Sequence, residues 1–470
     1  MQHNIEDEFT NGFGDKRLLS RCQNLTLRLW DQLNESVTHA CQGWAEVVAA
    51  FRFFNNEKVN LMTILLGHKQ ATLSRVKQET EVLAIQDTSE VSYGQRKISG
   101  IGPTSTTRSL GFYWHMTLLV SRDRLQLGIW CVETIVRTAL KRKNDDSHKK
   151  VPIEEKESGR WLRGYKEACE LQKLAPETTI ISIGDRESDI YEIYTEASEA
   201  AKKETNPAHW LIRSAQNRRV LLDNCDANHR SLQLAVMLAP VAAEGTINVQ
   251  ATPKRPARTA HVKIKIVPVT ICPPVRKEKK MPFVSATAIV VSEYDTSDGV
   301  TPLQWTLLTS LSVNSVTDAC DVVDRYAARW EIEVWFRTWK TGCKIESLQL
   351  KTYDRLEPCL GLYAILTWRL LYLSRLSRVC PDAPASLVFS DDELKAISLL
   401  ALNPRKGPPL IKTIAQAVLA IAIIGGFLNR KSDGNPGVET FWKGFAKINI
   451  AVAVLENTRY HETHNNEHQS

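Results

Sequence analysis

The segment from Tyr326 to Lys340 (YAARWEIEVWFRTWK) constrains the fold of this chain more than any other stretch. Its polar and charged residues are spaced three, four, four and three apart, and helical geometry places them within a stripe roughly 80° wide. They are Tyr326, Arg329, Glu333, Arg337 and Lys340. Ile332, Trp335 and Trp339 fall on the opposite side, where they can pack into a core. The pattern predicts a helix that is fixed by its apolar face and presents one carboxylate among three cations.

This polar stripe has two interpretations. A nucleic-acid phosphate held near a metal ion would suit one carboxylate flanked by three cations. A solvated face of salt bridges would carry the same residues, and for an arbitrary helix it is the commoner case. The rest of the chain has to decide between the two.

Length and composition describe a folded protein of two or three domains. The 470 residues are 43% hydrophobic and 24% charged, which allows a large core and excludes global disorder. The net charge of +7 does not by itself imply nucleic acid. Two basic runs lie at Lys141–Lys150 and Lys254–Lys280. Solvated loops explain either run as well as phosphate contacts do.

Cysteine usage and the lack of a long apolar run predict where the protein works. Ten cysteines form no CxxC pair and show no metal-ligand spacing, which is typical of buried thiols in a reducing cytosol. The first residues, MQHNIEDEF, are polar and acidic, so no secretory signal is expected. The run from Ile414 to Leu428 is too short for a membrane span and predicts a buried helix. We therefore expect a cytoplasmic protein without a membrane partner.

The first half of the chain has the element order of an α/β protein. Residues up to about 75 have helical periodicity, most clearly over Arg17–Leu33 and Trp44–Asn55. Three apolar segments then predict an antiparallel meander, and a helix, a strand, a helix and a strand follow it. The meander strands are Val82–Gln86, Leu110–Val120 and Leu125–Val136, and the later elements are Lys156–Leu174, Thr179–Ile183, Glu187–Lys202 and Trp210–Arg213. This order predicts a mixed sheet.

A β-rich segment from Asp223 to Ser310 separates this sheet from the Tyr326–Lys340 helix. Because a connection inside a compact domain rarely needs so many residues, we interpret it as an inserted subdomain. Its predicted strands are Thr246–Ala251, Ala260–Val269, Ser285–Val291 and Trp305–Thr309. From about residue 353 the chain is predicted to be helical, with helices at Leu360–Leu376, Asp391–Leu402 and Ile411–Leu428.

Three acidic residues stand out against this framework. Asp87 and Asp185 each follow a predicted buried strand, and ligands of open α/β sheets bind at the carboxyl ends of strands. Glu333 faces outward from the later helix. Three such carboxylates could converge on two magnesium ions and support an in-line phosphoryl displacement. An aspartate that follows a strand is also a common turn former or helix cap, so the combination of all three carries the hypothesis.

At these positions the chain resembles bacterial DDE transposases of insertion-sequence family four, and it looks most like relatives of the Tn-five transposase. Tyr326, Arg329, Glu333 and Lys340 reproduce the Y-(2)-R-(3)-E-(6)-K signature of the family at its fixed spacing. Because all four residue types match the signature at its fixed spacing, the motif is specific. The resemblance extends over most of the chain.

Further segments carry the same resemblance. LAIQDTSEVSY around Asp87 and GDRESDIYEIY around Asp185 are similar to the two aspartate motifs of the family. The amino-terminal GDKR and FRFFNN resemble its DNA-recognition region, and GGFLNRKSDGNPG followed by FWKG resembles its dimerisation region. KESGRWL and TPLQWTLLTS are similar to two other family segments.

The resemblance implies an α/β fold with a ribonuclease-H-like mixed-sheet core and a β-rich insertion. A helical DNA-recognition domain would occupy residues 1–75. The catalytic core would comprise residues 76–222 and 311–350, with the insertion at 223–310. A helical C-terminal dimerisation domain would occupy residues 351–470.

The resemblance also implies a chemistry. Asp87, Asp185 and Glu333 would bind two Mg²⁺ ions, for which Mn²⁺ can substitute. Family members nick the transposon end, form and reopen a hairpin, and join the 3′-hydroxyl to target DNA. The implied partners are double-stranded DNA, as transposon ends and target, and a second copy of the chain in a paired-end complex. The implied location is the bacterial cytoplasm, in association with the nucleoid.

The resemblance assigns DNA contacts as well. Trp305 matches the tryptophan that stacks on a flipped base, although an aromatic in a strand core is the alternative. Phosphate contacts are implied for Tyr326, Arg329 and Lys340, with Arg213, Arg337, Arg17 and Arg21 as further DNA-binding residues. Arg337 stands where a lysine is usual, so the phosphate geometry there is expected to differ. Arg17 and Arg21 could equally be solvated helix residues.

Two other classes of function stay open at this point. A descendant that binds DNA as a repressor would not need three clustered carboxylates. A different nuclease on the same core would produce simple nicks, whereas a transposase produces a hairpin and strand transfer.

Overall fold

A computed structural model describes residues 5–10, 12–33, 35–105, 109–139, 151–222, 230–249, 257–275, 281–296, 300–401, 407–431 and 433–467. The basic run Lys141–Lys150 lies outside these residues, as do residues 254–256 and 276–280 of the second basic run. In the described part of the chain, no helix is long and apolar enough to cross a membrane.

Four helices form the amino-terminal region, as the periodicity predicted. They are α1 (Lys16–Asp31), α2 (Val37–Ala40), α3 (Trp44–Phe54) and α4 (Leu61–Val76). Asp15 caps α1 by accepting a hydrogen bond from the Arg17 amide at 2.9 Å. Asn60 and Thr63 cap α4 reciprocally, which satisfies two amides of its first turn.

The predicted meander is present, but its first strand is longer than predicted. Its strands are β1 (Glu81–Ser92), β3 (Leu110–Ser121) and β4 (Gln126–Ile135), with a short β2 (Gly102–Pro103) beside β3. Strand β1 was predicted to end at Gln86, but antiparallel pairing with β3 continues to Ser92. Asp87 therefore lies inside this strand and not just after it. Burial changes at this residue, since residues 82–86 are buried and Asp87 is half-buried.

The centre of the sheet is parallel and carries two helices. The elements are α5 (Gly159–Leu174), β5 (Thr179–Gly184), α6 (Tyr191–Lys203) and β6 (His209–Arg213). Strand β5 pairs in parallel with both β1 and β6. Helix α6 begins later than predicted because a 3₁₀ turn at Arg186–Ser188 separates it from β5.

The segment predicted as an insertion continues the same sheet. Strand β7 (Arg219–Leu221) lies just before this segment. The segment contains β8 (Arg230–Ser231), α7 (Leu232–Leu238), β9 (Ala243–Val249), β10 (Arg258–Ile271), β11 (Val284–Glu293) and β12 (Gln304–Thr309). Strand β12 pairs antiparallel with β6, so the described residues form one mixed sheet of twelve strands. Its order is β2-β3-β1-β5-β6-β12-β11-β10-β7-β8, with β4 on β3 and β9 on β10.

The prediction of one continuous helix from Tyr326 to Lys340 is wrong. Helix α8 (Val316–Ala327) ends before Arg329, and α9 (Trp330–Arg337) leads into a π-helical turn at Thr338–Gly342. Hydrogen bonds between residues three apart, such as Arg329 N–H to Tyr326 O at 3.0 Å, tighten the chain between α8 and α9. Such 3₁₀ tightening changes the helical phase, and Tyr326 is buried at 3% exposure instead of lying on a polar stripe.

The apolar face predicted for this segment is confirmed. Ile332, Trp335 and Trp339 are fully buried. The Trp339 ring lies 4.8 Å from that of Trp114 on β3, so α9 is fixed against the sheet through tryptophan contacts. The carboxyl-terminal region is helical, with α10 (Tyr353–Val379), α11 (Asp391–Leu400), α12 (Ile414–Ile424) and α13 (Val438–Glu467). The last of these helices was not predicted.

Candidate active site

The sheet places Asp87 and Asp185 on adjacent parallel strands. The pairing of β1 with β5 runs from Glu81 opposite Thr179 to Ile85 opposite Ile183. Each aspartate lies two residues beyond that last pair, so both carboxylates lie at the same edge of the sheet. Asp87 Oδ1 accepts from the Thr88 amide at 2.7 Å, and Asp185 Oδ1 accepts from the Glu187 amide at 2.8 Å.

Arg329 joins the third carboxylate to this edge. Its guanidinium donates to Asp87 Oδ2 at 3.1 Å and to Glu333 Oε1 one helical turn further on. The side chains of Arg329, Asp87 and Glu333 are 17%, 18% and 33% exposed, so solvent still reaches the cluster. The predicted triad is thus brought to one place, with a cation between two of its members.

Electrostatics at this cluster are unusual. Burial raises the pKa of Asp87 to about 7, and the neighbouring Asp185 adds to the rise while Arg329 opposes it. Burial disfavours the charge of Arg329, but Asp87 and other neighbours outweigh it and raise the arginine pKa. Near neutral pH, Asp87 is therefore divided between its charged and neutral forms.

A cavity of about 720 Å³ opens beside Glu333. Its lining includes the aromatic pair Trp305 and Tyr326, whose rings meet edge to face at 5.0 Å. Trp305 is half-buried, so the structure does not place it in a sealed strand core. Arg213 also lines the cavity, and its Nε is buried without a hydrogen-bond partner among the described residues.

The remaining predicted DNA-binding residues lie apart from this cavity. Lys340 donates to the backbone oxygen of Glu90, and Arg337 is exposed on α9. Arg17 on α1 is 93% exposed beside Asp15, whereas Arg21 donates to Glu46 on α3 at 2.6 Å. For both α1 arginines, the described contacts are confined to the amino-terminal helices.

The donor set suits magnesium, but it is not arranged as a finished metal site. Carboxylate oxygens are the ligands that Mg²⁺ prefers in proteins. Within the described residues, no group of three or more Asp, Glu, His or Cys side chains is placed to hold a metal ion. Arg329 lies between Asp87 and Glu333. A divalent cation shared by these two carboxylates would have to take the place of its guanidinium.

Sequence reasoning missed one residue that contacts both aspartate segments. Arg160 lies in KESGRWL, a segment that the sequence singled out without assigning it a role. Its guanidinium donates to Thr88 Oγ1 at 2.9 Å and to Glu187 Oε2 at 2.6 Å. Thr88 and Glu187 are the residues whose amides hold the two carboxylates. The sequence signal that could have identified Arg160 was its position inside the KESGRWL segment.

Comparison with known families covers almost the entire chain. The model of the transposase DDE domain matches residues 60–368, which include all three carboxylates, Arg329 and the cavity lining. This chain belongs to the DDE transposase family. Models of the transposase DNA-binding domain and of the Tn5 transposase dimerisation domain match residues 1–59 and 365–467. The predicted resemblance to the Tn5 type and the predicted fold class are confirmed, whereas assignment to insertion-sequence family four stays a prediction.

A solved structure also matches this chain, more distantly. The cryo-EM structure of the piggyBac transposase synaptic complex with hairpin DNA matches with 10% sequence identity and a TM-score of 0.31. The match covers 65% of this chain and 50% of that chain. The matched region spans about half the length of that transposase chain.

Proposed function

We propose that this chain is a cut-and-paste DNA transposase. It binds the terminal inverted repeats of its element, nicks each end, passes through a hairpin and joins the 3′-hydroxyls to target DNA. The observation that carries the proposal is the cluster of Asp87, Arg329 and Glu333 beside Asp185, at the rim of a cavity lined with cations and aromatic rings.

Asp87, Asp185 and Glu333 would hold two Mg²⁺ ions, with Mn²⁺ able to replace them. When bound, the ions would activate the attacking oxygen and stabilise the leaving oxygen of each phosphoryl transfer. The chain itself fixes two of the carboxylates through backbone amides at 2.7 and 2.8 Å. These amides direct the aspartates before any substrate arrives, so less reorganisation is needed during reaction.

Arg329 has a second role in this proposal. In the DNA-free chain it lies between Asp87 and Glu333 and weakens the repulsion between their carboxylates. A DNA phosphate offers the guanidinium a bidentate partner, for which an arginine is well suited. Transfer of Arg329 to the phosphate would free the two carboxylates, which would then be available to hold a metal ion. Binding of DNA and assembly of the metal site are therefore coupled.

The cavity would receive a base during hairpin formation. A hairpin requires a nucleotide to leave the stack, and 720 Å³ is ample for one base. Trp305 supplies an aromatic surface, and stacking of a base on such a surface is worth about 1–3 kcal/mol. Tyr326 buttresses that ring, and Arg213 is placed to meet the phosphate of the extruded nucleotide.

The domain organisation completes the proposal. We place recognition of the terminal repeat in residues 1–75, with Arg17 and Arg21 of α1 as DNA contacts. Arg337 and Lys340 would contact phosphates near the cut. The catalytic core, at 76–222 and 311–350, carries the insertion 223–310, and residues 351–470 would form the homodimer of the paired-end complex.

The test uses the full chain, a labelled duplex with the element's own end, and a supercoiled target plasmid in Mg²⁺. A transposase gives a nick, then a hairpin, then a product joined to the plasmid. Nicks without hairpin or joined product would favour a simple nuclease. Binding without cleavage in Mg²⁺ or Mn²⁺ would favour a DNA-binding regulator.

A further inference from the structure

Arg160 occupies a position between the two aspartate-bearing strands. It lies in the first turn of α5, and its side chain is 11% exposed. Besides Thr88 and Glu187, it donates from Nη1 to the backbone oxygen of Glu157 at 2.8 Å. The guanidinium therefore uses all three of its nitrogens, and its planar fork is fixed in one orientation.

The two side chains that Arg160 contacts belong to the residues that direct the catalytic carboxylates. The Thr88 amide holds Asp87, and the Glu187 amide holds Asp185. A continuous path of contacts thus runs from one aspartate to the other through a single guanidinium. The parallel pairing of β1 with β5 ends before either aspartate. The contacts of Arg160 therefore connect the two strand ends beyond the last residue pair of that ladder.

His115 fixes the Thr88 end of this path. Its Nδ1 lies 2.9 Å from Thr88 Oγ1, directly across the β1–β3 pairing. Burial, followed by the nearby Arg160 and Arg163, lowers the pKa of His115 to about 3, so the ring is neutral at physiological pH. The Thr88 hydroxyl therefore accepts from Arg160 and is also hydrogen-bonded to the neutral His115 ring.

We propose that Arg160 is a positioning residue that holds the Asp87 and Asp185 ends of the sheet at a fixed separation. The role rests on the proposed function, since that separation matters for a metal-dependent phosphoryl transfer. Beyond Ile85 and Ile183 no β1–β5 pairing joins the two ends in the described structure. Without Arg160 they can move relative to each other, and the three ligands lose their common geometry.

Hydrogen exchange tests the positioning without requiring any catalysis. In the full chain, Arg160→Ala should accelerate amide exchange in peptides covering residues 85–90 and 184–190 together. Glu187→Ala removes an exposed partner of Arg160 and leaves the core intact, and it should accelerate exchange in the second peptide alone. The matched control is Arg163→Ala, one turn along α5, where the guanidinium pairs with Glu133 at the surface.

Cleavage provides the second readout. At saturating end DNA, Arg160→Ala should slow single-turnover nicking about 10- to 100-fold, the range typical for residues that orient metal ligands. DNA affinity should be unchanged, and Arg160→Lys should restore only part of the rate because an ammonium cannot make three directed contacts at once. Arg163→Ala should nick at the wild-type rate.

The two readouts separate the inference from the proposed function. Unchanged exchange in both peptides for a folded Arg160→Ala chain would overturn the positioning role, whatever the cleavage result. If Arg160→Ala does not fold, unchanged exchange of the second peptide in Glu187→Ala would overturn it equally. A wild-type chain that never cleaves would refute the transposase, while exchange would still decide whether Arg160 joins the two strand ends.

Discussion

Among the ion pairs of arginine with carboxylates in the described residues, those of Glu8 and of Asp87 with Glu333 differ most clearly in what surrounds them. In the first cluster, Glu8 is fully buried and accepts from Arg75 at 2.7 and 3.2 Å and from His68. His68 Nε2 accepts from the Ile129 amide at 2.9 Å, so its Nδ1 carries the proton that it donates to Glu8. In the second cluster, Asp87 and Glu333 share Arg329 at the rim of a cavity.

The difference lies in solvent access and in the number of carboxylates that share one arginine. Glu8 has donors from two side chains, and its partners belong to α4, a rigid helix within the core. Its side chain is closed to solvent. Asp87 and Glu333 have one guanidinium between two carboxylates, solvent access and an adjacent cavity. Their partner can be exchanged, and an exchangeable partner is what a metal or phosphate site requires.

The largest expected effect is the loss of DNA cleavage when Asp87 or Asp185 is replaced. Asp87→Ala and Asp185→Ala should each reduce cleavage on the order of 10³-fold, because groups that stabilise developing charge act mainly in the transition state. End binding should persist, since phosphate contacts supply most of it. Single-turnover cleavage and a gel-shift titration measure the two quantities. Loss of binding in parallel with cleavage would mean that these aspartates are structural.

The next largest expected effect is a loss of folding stability when Glu8 of the first cluster is replaced. Glu8→Ala leaves Arg75 and His68 facing a buried gap and should destabilise the chain by about 3–5 kcal/mol. Thermal unfolding monitored by circular dichroism measures the loss. Glu46→Ala, which removes a partly exposed partner of Arg21, is the control and should cost about 1 kcal/mol or less. Similar losses for both variants would erase the distinction between buried and exposed pairs.

A smaller effect is expected at the cavity. Trp305→Ala should slow hairpin formation by the equivalent of about 1–3 kcal/mol of stacking, with little change in the first nick. Trp305→Phe keeps an aromatic surface and should retain most of the rate. A time course on pre-nicked ends isolates the step. Equal slowing of nicking and hairpin formation would remove the base-stacking role.

The smallest effect is a pH dependence near the second cluster. The pKa of His115 falls to about 3 on folding, from an ordinary value near 6.5. The unfolded chain therefore binds this proton more readily, so the contribution of His115 to stability is complete above pH 6.5 and is lost as pH falls towards 3. His115→Gln should flatten the slope of stability against pH over that window, relative to wild type. An identical slope would mean that this ring titrates normally.

Much of the framework was predictable because its signals are local. The strands Leu110–Ser121 and Thr179–Gly184 agree with the predicted segments to within one residue, since continuous apolar runs bounded by turns specify them. The end of β1 was missed because its last residues are held by pairing with β3, which single-strand hydrophobicity does not report.

The candidate site was only partly predictable for a related reason. The prediction of a polar stripe assumed about 3.6 residues per helical turn throughout Tyr326–Lys340. In the structure, a tightened turn before α9 and a π-helical turn after it change the direction in which side chains point at both ends of the segment. The Arg329 bridge between Asp87 and Glu333 and the contacts of Arg160 join residues far apart in sequence. Pairings of that kind depend on tertiary geometry, and no periodicity in the chain encodes them.

One measurement tests the central claim most directly. Wild type and Glu333→Ala are incubated with labelled element ends in Mg²⁺, in Mn²⁺ and in chelator, and the products are resolved on a denaturing gel. The account predicts nicks and hairpins from wild type with either metal, none in chelator, and none from Glu333→Ala despite normal end binding. Cleavage by Glu333→Ala at the wild-type rate, or cleavage in chelator, would contradict the assignment of this acidic triad.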